Sequence, residues 1–208
     1  MSEIQKVSII DFKTDSGALY KSIDLFFQHF GKDYNKAPVV LVNHSLTGDS
    51  NVSGNKGWWS GIIGPRMTID TDYYSVLAFN IPGNGFKGSK IKKHDDFHTG
   101  DVARLFFEGL KILGITELFA IIGGSIGGSI VWEMGALYPS FSKYLIPVAS
   151  DWKASDWIIA NTFLQKRILK NSSKPLEDAR IHAMLTYRTP ISFDNRFDRT
   201  KNEENNMY

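Results

Sequence analysis

Residues 123–127 read Gly-Gly-Ser-Ile-Gly, between the apolar run Leu118–Ile122 and an amphipathic helical stretch that ends near Tyr138. One serine is thereby placed at a strand-to-helix corner, the signature of a nucleophile elbow. So sharp a turn leaves no room for side chains beside the serine, which accounts for glycine at positions 123, 124, 127 and 128. Ser125 is the candidate nucleophile. The competing reading is a glycine-rich turn that holds phosphate at a helix N-terminus. Against it, the glycines around the serine lack the G-x-G-x-x-G spacing of such turns, and the strand before them lies mid-chain.

Length and composition fit this corner into an ordinary globular chain. With 208 residues, 42% of them hydrophobic and 22% charged, one domain with a substantial core is expected. A formal net charge of +2, with Lys and Arg scattered along the chain, argues against nucleic acid as a partner. Cysteine is absent, which excludes disulfides, zinc thiolate sites and thiol catalysis. The N-terminus lacks the basic start and apolar core of a signal peptide, and no run approaches ~18 consecutive apolar residues. No membrane partner and a cytoplasmic location are therefore expected.

Along the chain, Val7–Phe12 and Ile23–Phe30 read as β-prone runs separated by Asp15-Ser-Gly17, an antiparallel pair. Pro38–Val42 and Ser75–Phe79 are continuous apolar runs of the kind buried on both faces of a sheet. A helix is expected from Asp101 to Gly114, with Val102, Leu105, Phe106, Leu110 and Leu113 on its buried face. Then follow a strand at Leu118–Ile122, a helix at Ser125–Tyr138 with Ile126, Ile130, Met134 and Leu137 as its apolar row, and a strand at Leu145–Val148. This alternation predicts a mostly parallel sheet flanked by helices, the α/β class. After Asp151 the pattern changes to two helices, Ser155–Leu169 and Leu176–Thr186. The division expected is a core over residues 1–151, the beginning of a helical cap over 152–197, and a disordered tail over 198–208, with fraying from Asp194.

A serine hydroxyl needs a base to take its proton and donors to hold the oxyanion that forms. In an elbow, one donor is the backbone N–H of the following residue, here Ile126. The other comes from the loop after the third strand, Asn43–Gly48. Five blocks appear in order: His44–Asp49, Gly57–Pro65, Ile69–Asp72, Gly123–Gly128 and Leu185–Pro190. Together they resemble the homoserine O-acetyltransferase family, over about residues 38 to 197.

The resemblance implies an α/β-hydrolase fold in which Ser125 accepts an acetyl group from acetyl-CoA and passes it to the hydroxyl of homoserine, on the route to methionine. Acetyl-CoA enters as a co-substrate, with no bound cofactor and no metal. The backbone amides of Leu46 and Ile126 are the implied oxyanion donors. The family usually has Met after the serine, but a main-chain donor does not depend on that side chain. His44, at the end of a buried strand, reads as a loop-fixing residue in preference to a base. His94 and His98 lie in a mixed-charge segment that reads as a solvated approach to a helix, not a metal site. Trp58 and Trp59 read as packing residues.

Two departures stand out. The triad order is Ser, then acid, then His, yet the last strands of the implied sheet are missing and the one histidine after Ser125 is His182, within a cap helix. Asp151 follows the strand after the elbow, one or two strands too early for the implied acid. Loss of a triad member typically leaves ~10³–10⁴-fold acceleration over water, so the chain alone is expected to be impaired. The resemblance also implies an arginine for the homoserine carboxylate where this chain has Gln165, and Arg167 is two residues late, about 200° around the helix. An esterase-like hydrolase and a noncatalytic binding module are the alternatives. The partners expected are a small-molecule acyl donor and acceptor, with either a homodimer or a complementing C-terminal fragment.

Overall fold

The computed structural model describes residues 2–86, 91 and 93–197. The chain divides into two compact units, Met1–Trp152 and Lys153–Tyr208. The expected disordered tail at 198–208 lies outside the described residues.

The first unit is built on a six-stranded sheet. Its strands are β1 (Gln5–Lys13), β2 (Leu19–Gly31), β3 (Val39–Asn43), β6 (Ser75–Phe79), β7 (Leu118–Gly124) and β8 (Ser142–Val148), in the spatial order β1-β2-β6-β3-β7-β8. β1 and β2 form the antiparallel hairpin, and β2 meets β6 antiparallel. β6, β3, β7 and β8 all run parallel. Every residue of β3 and β6 is buried, as continuous apolar runs between two covered faces require.

On one face, helices α1 (Thr99–Ile112) and α2 (Ile126–Leu137) pack over Leu41, Leu77, Phe79 and Ile121 through Leu105, Phe106, Ile130 and Met134. The other face, with Val40, Val42, Val76, Ala78, Ala120 and Ile122, is covered by the segment between β3 and β6, which supplies Val52, Trp58, Trp59 and Ile63. That segment contains the short parallel pair β4 (Ile63–Gly64) and β5 (Ile69–Asp70), which apolar patterning does not reveal because each strand has two residues.

Several boundaries differ from expectation for identifiable reasons. α1 begins at Thr99, not Asp101, because Asp101 is its third residue and folds its carboxylate back to accept the His98 N–H at 2.9 Å. β8 begins at Ser142, three residues before Leu145, since pairing with Leu118 extends it through the polar Ser142 and Lys143. Leu137, expected in the buried row of α2, is exposed.

The second unit is helical: α3 (Asp156–Asn171), α4 (Pro175–Thr186) and α5 (Pro190–Arg196). Ser155 caps α3 by accepting the Ile158 N–H, and Thr189 caps α5 by accepting the Ser192 N–H at 3.1 Å. α5 runs through Asp194–Arg196, where fraying is expected from polarity alone; the cap and Pro190 at its first turn start it. Among the described residues, no helix is long and apolar enough to cross a membrane.

Candidate active site

β7 delivers its last residues, Gly123 and Gly124, into Ser125, whose backbone sits at φ 55°, ψ −120° before α2 begins at Ile126. This is a left-handed conformation that a residue with a Cβ adopts only under constraint. The constraint is visible in the main chain: the Ser125 N–H donates to Val148 O at 2.9 Å, and Ser125 O accepts from Gly128 and Ser129. A Cβ at Gly127 would lie 2.3 Å from Asn43 O and 2.7 Å from His44 O. One at Gly123 would meet Gly127 O at 2.2 Å. The first turn of α2 thus rests directly on the backbone leaving β3, and only glycine permits the approach.

Asn43 and Gly123 are register partners in adjacent parallel strands, so the turn after β3 and the corner after β7 leave the sheet at the same end. The turn after β3 is Ser45–Gly48, closed by Gly48 N–H to Ser45 O at 2.9 Å, and it carries Leu46. Leu46 is 66% exposed, Ser125 is exposed and Ile126 is partly buried. Neither the Leu46 nor the Ile126 N–H has an acceptor among the described residues. The structure thus puts one hydroxyl and two unpaired amides on loops leaving neighbouring strands.

His44 is fully buried. Its Nε2 accepts the Ile81 N–H at 2.9 Å, so the ring proton is on Nδ1, which donates to Ser45 O at 2.7 Å. Burial pushes its pKa below the usual histidine value, outweighing the Ser45 carbonyl and the Asp49 charge, which raise it. With both nitrogens engaged, His44 holds the loop and is no base for Ser125. Trp58 donates Nε1–H to Asp49 O at 2.9 Å, and Trp59 lies against Gly124, so both tryptophans pack the loops into place. His94 is highly exposed beside Asp95, and the His98 backbone caps α1.

No described histidine or carboxylate is hydrogen-bonded to the Ser125 hydroxyl. The Asp151 carboxylate accepts its neighbour's N–H, from Trp152, at 2.7 Å. In the second unit His182 Nδ1 accepts from Gln165 at 2.9 Å, and Gln165 also donates to Ala179 O. Gln165 therefore ties α3 to α4. A second glycine pattern went unread in the sequence: Gly83-Asn-Gly85-Phe-Lys-Gly88 has the G-x-G-x-x-G spacing. Its second half, from Lys87, lies outside the described residues, and the first α-helix described after it is α1 at Thr99. Also unread were Ser50, Asn80 and Gln28, three buried polar residues under the Leu46 turn, which no motif distinguishes from loop residues.

The family model for the alpha/beta hydrolase fold matches residues 38–186. The chain belongs to the α/β-hydrolase family. This α/β hydrolase is 31% identical to homoserine O-acetyltransferase of Corynebacterium efficiens over 220 residues, which cover 90% of this chain and 57% of that protein. The crystal structure of homoserine O-acetyltransferase from Staphylococcus aureus matches it with a TM-score of 0.81 at 27% identity, over 95% of this chain and 62% of that one. Esterase E22 shares the fold, with a TM-score of 0.81 at 24% identity over 94% and 64% of the two chains. The α/β hydrolase described here thus spans a little over half the length of the curated relative it matches.

Proposed function

We propose that this α/β hydrolase takes part in acyl transfer through an ester on Ser125, with acetyl-CoA as donor and a small hydroxyl compound of the homoserine class as acceptor, in the cytoplasmic route to methionine. In the first step Ser125 Oγ attacks the thioester carbonyl, its proton passes to a base, and the carbon–sulfur bond breaks to release the CoA thiol. In the second, the acceptor hydroxyl attacks the ester and Ser125 is restored. The Leu46 and Ile126 amides hold the oxyanion in both steps. The observation that carries the reading is the strained Ser125 at the N-terminus of α2, beside a turn with a free amide.

The base and its carboxylate partner are not beside Ser125 in the described residues, so slow or absent turnover is expected from this chain alone. A complementing polypeptide that supplies them belongs to the same proposal. The test is intact-mass analysis after incubation with acetyl-CoA or p-nitrophenyl acetate. A single acetyl increment that disappears in Ser125→Ala is expected; equal labelling of both proteins refutes the nucleophile. A second reading, hydrolysis with water as acceptor, is favoured by Gln165, which is occupied by Ala179 and His182 and offers no cation for a carboxylate. CoA release that ignores added homoserine selects that reading.

A further inference from the structure

The Leu46 turn has little anchorage of its own, since its side chain is exposed and its N–H is unpaired. Its two ends are another matter. At the leading end, His44 joins Ser45 O to the Ile81 N–H. At the trailing end, Ser50 donates its N–H to Asn80 Oδ1 at 3.0 Å and accepts Asn80 Nδ2–H on its hydroxyl at 2.9 Å. The Ser50 hydroxyl then donates to Gln28 Oε1 at 2.8 Å. Asn80 Oδ1 also accepts from Asn84 Nδ2 at 3.0 Å, and the Asn80 N–H donates to Phe26 O at 2.8 Å on β2. Relative exposure is 0% for His44 and Ser50, 1% for Asn80 and 4% for Gln28.

Each donor in this group meets an acceptor, and both ends of the loop terminate on one dipeptide, Asn80-Ile81, just after β6. We propose that Asn80 is the positioning residue of the oxyanion turn: it sets where the Leu46 amide stands without touching the substrate. The assignment rests on the acyl-transfer reading above and deepens it. An apolar core would hold the fold equally well, whereas a closed set of buried hydrogen bonds also fixes one geometry. Leucine at position 80 keeps the volume but leaves the buried Ser50 N–H unsatisfied and the Asn84 amide with His44 Nε2 alone, so the loop must move to find water.

The experiment compares wild type, Asn80→Leu, Ser50→Ala and a remote core control, Val102→Ala in α1. Two readouts are taken: phosphorylation of Ser125 by diethyl p-nitrophenyl phosphate, and hydrogen exchange of the Gly48 amide. Asn80→Leu is expected to lower the maximal labelling rate at least tenfold with the half-saturating concentration unchanged, and to speed Gly48 exchange at least tenfold while β7 amides stay protected. Ser50→Ala, which keeps the Ser50 N–H, shifts both in the same direction by less. The proposal is overturned if Asn80→Leu leaves Gly48 exchange unchanged, or if Val102→Ala at matched loss of stability lowers labelling as much. Wild-type labelling no faster than that of free serine, below the residual acceleration that an oxyanion site keeps without its base, refutes the acyl chemistry instead, and Gly48 exchange still decides the role of Asn80.

Discussion

At the scale of single residues, the corner at Ser125 is held by the absence of side chains around it, and this makes its tolerance to substitution unequal. Gly127→Ala places a methyl 2.3 Å from Asn43 O, against backbone that cannot rotate away. A loss of about 1–3 kcal/mol in urea unfolding is expected. Gly61→Ala, where nothing lies within 4 Å, should change stability by less than about 0.5 kcal/mol. His44 gives a prediction in pH. Its pKa is lowered from 6.5 in the folded chain, chiefly by burial, so below pH 6.5 the unfolded chain binds the extra proton and the folded chain resists it. Its contribution is complete above pH 6.5 and is lost as pH falls towards the depressed value, at up to ~1.4 kcal/mol per pH unit. Thermal melts between pH 7 and 5 should therefore fall more steeply for wild type than for His44→Leu; parallel slopes would show that His44 is protonated without cost. Ser125 was legible because glycines must surround such a corner. His44, Ser50 and Asn80 were not, because a satisfied buried polar residue has the same letter as one in solvent.

At the scale of elements, strands and helices with a strong apolar period were readable: β3, β6 and β7 fall where their patterns place them, and α1 differs only in its ends. What escaped were elements made by pairing or capping, such as β4, β5 and α5, whose residues show no period long enough to detect. α1 shows the cost of missing a cap. The buried Asp101 carboxylate accepts the N–H groups of Asp15 and His98, each at 2.9 Å, and pairs with Arg104, which also reaches Asp15 at 2.8 Å and stacks over Phe12. One side chain so joins the helix start to the β1–β2 turn. Asp101→Ala should cost about 3 kcal/mol, since it leaves the Asp15 and His98 amides without their acceptor and Arg104 with Asp15 alone, and Asp101→Asn less. Denaturant melts of the pair, with unchanged far-ultraviolet dichroism before the transition, would check it.

At the scale of the whole molecule, the sheet is closed on neither edge among the described residues, and β8 differs from an ordinary edge strand. Tyr144, Ile146 and Val148 face the same side of the sheet as Ala120 and Ile122 and are 56%, 42% and 41% exposed. Long apolar edges of this kind drive association. Light scattering of the isolated chain should show concentration-dependent association that Ile146→Lys weakens; a clean monomer at all concentrations would contradict the expectation. The contrast with the serine corner has a longer reach. There the wall against Gly127 is main chain, from Asn43 and His44, with no variable group to exchange, while Gly128 rests on the Ser150 side chain. Descendants of such a scaffold can inherit the serine corner unchanged, and any divergence between them has to be written in the surrounding segments.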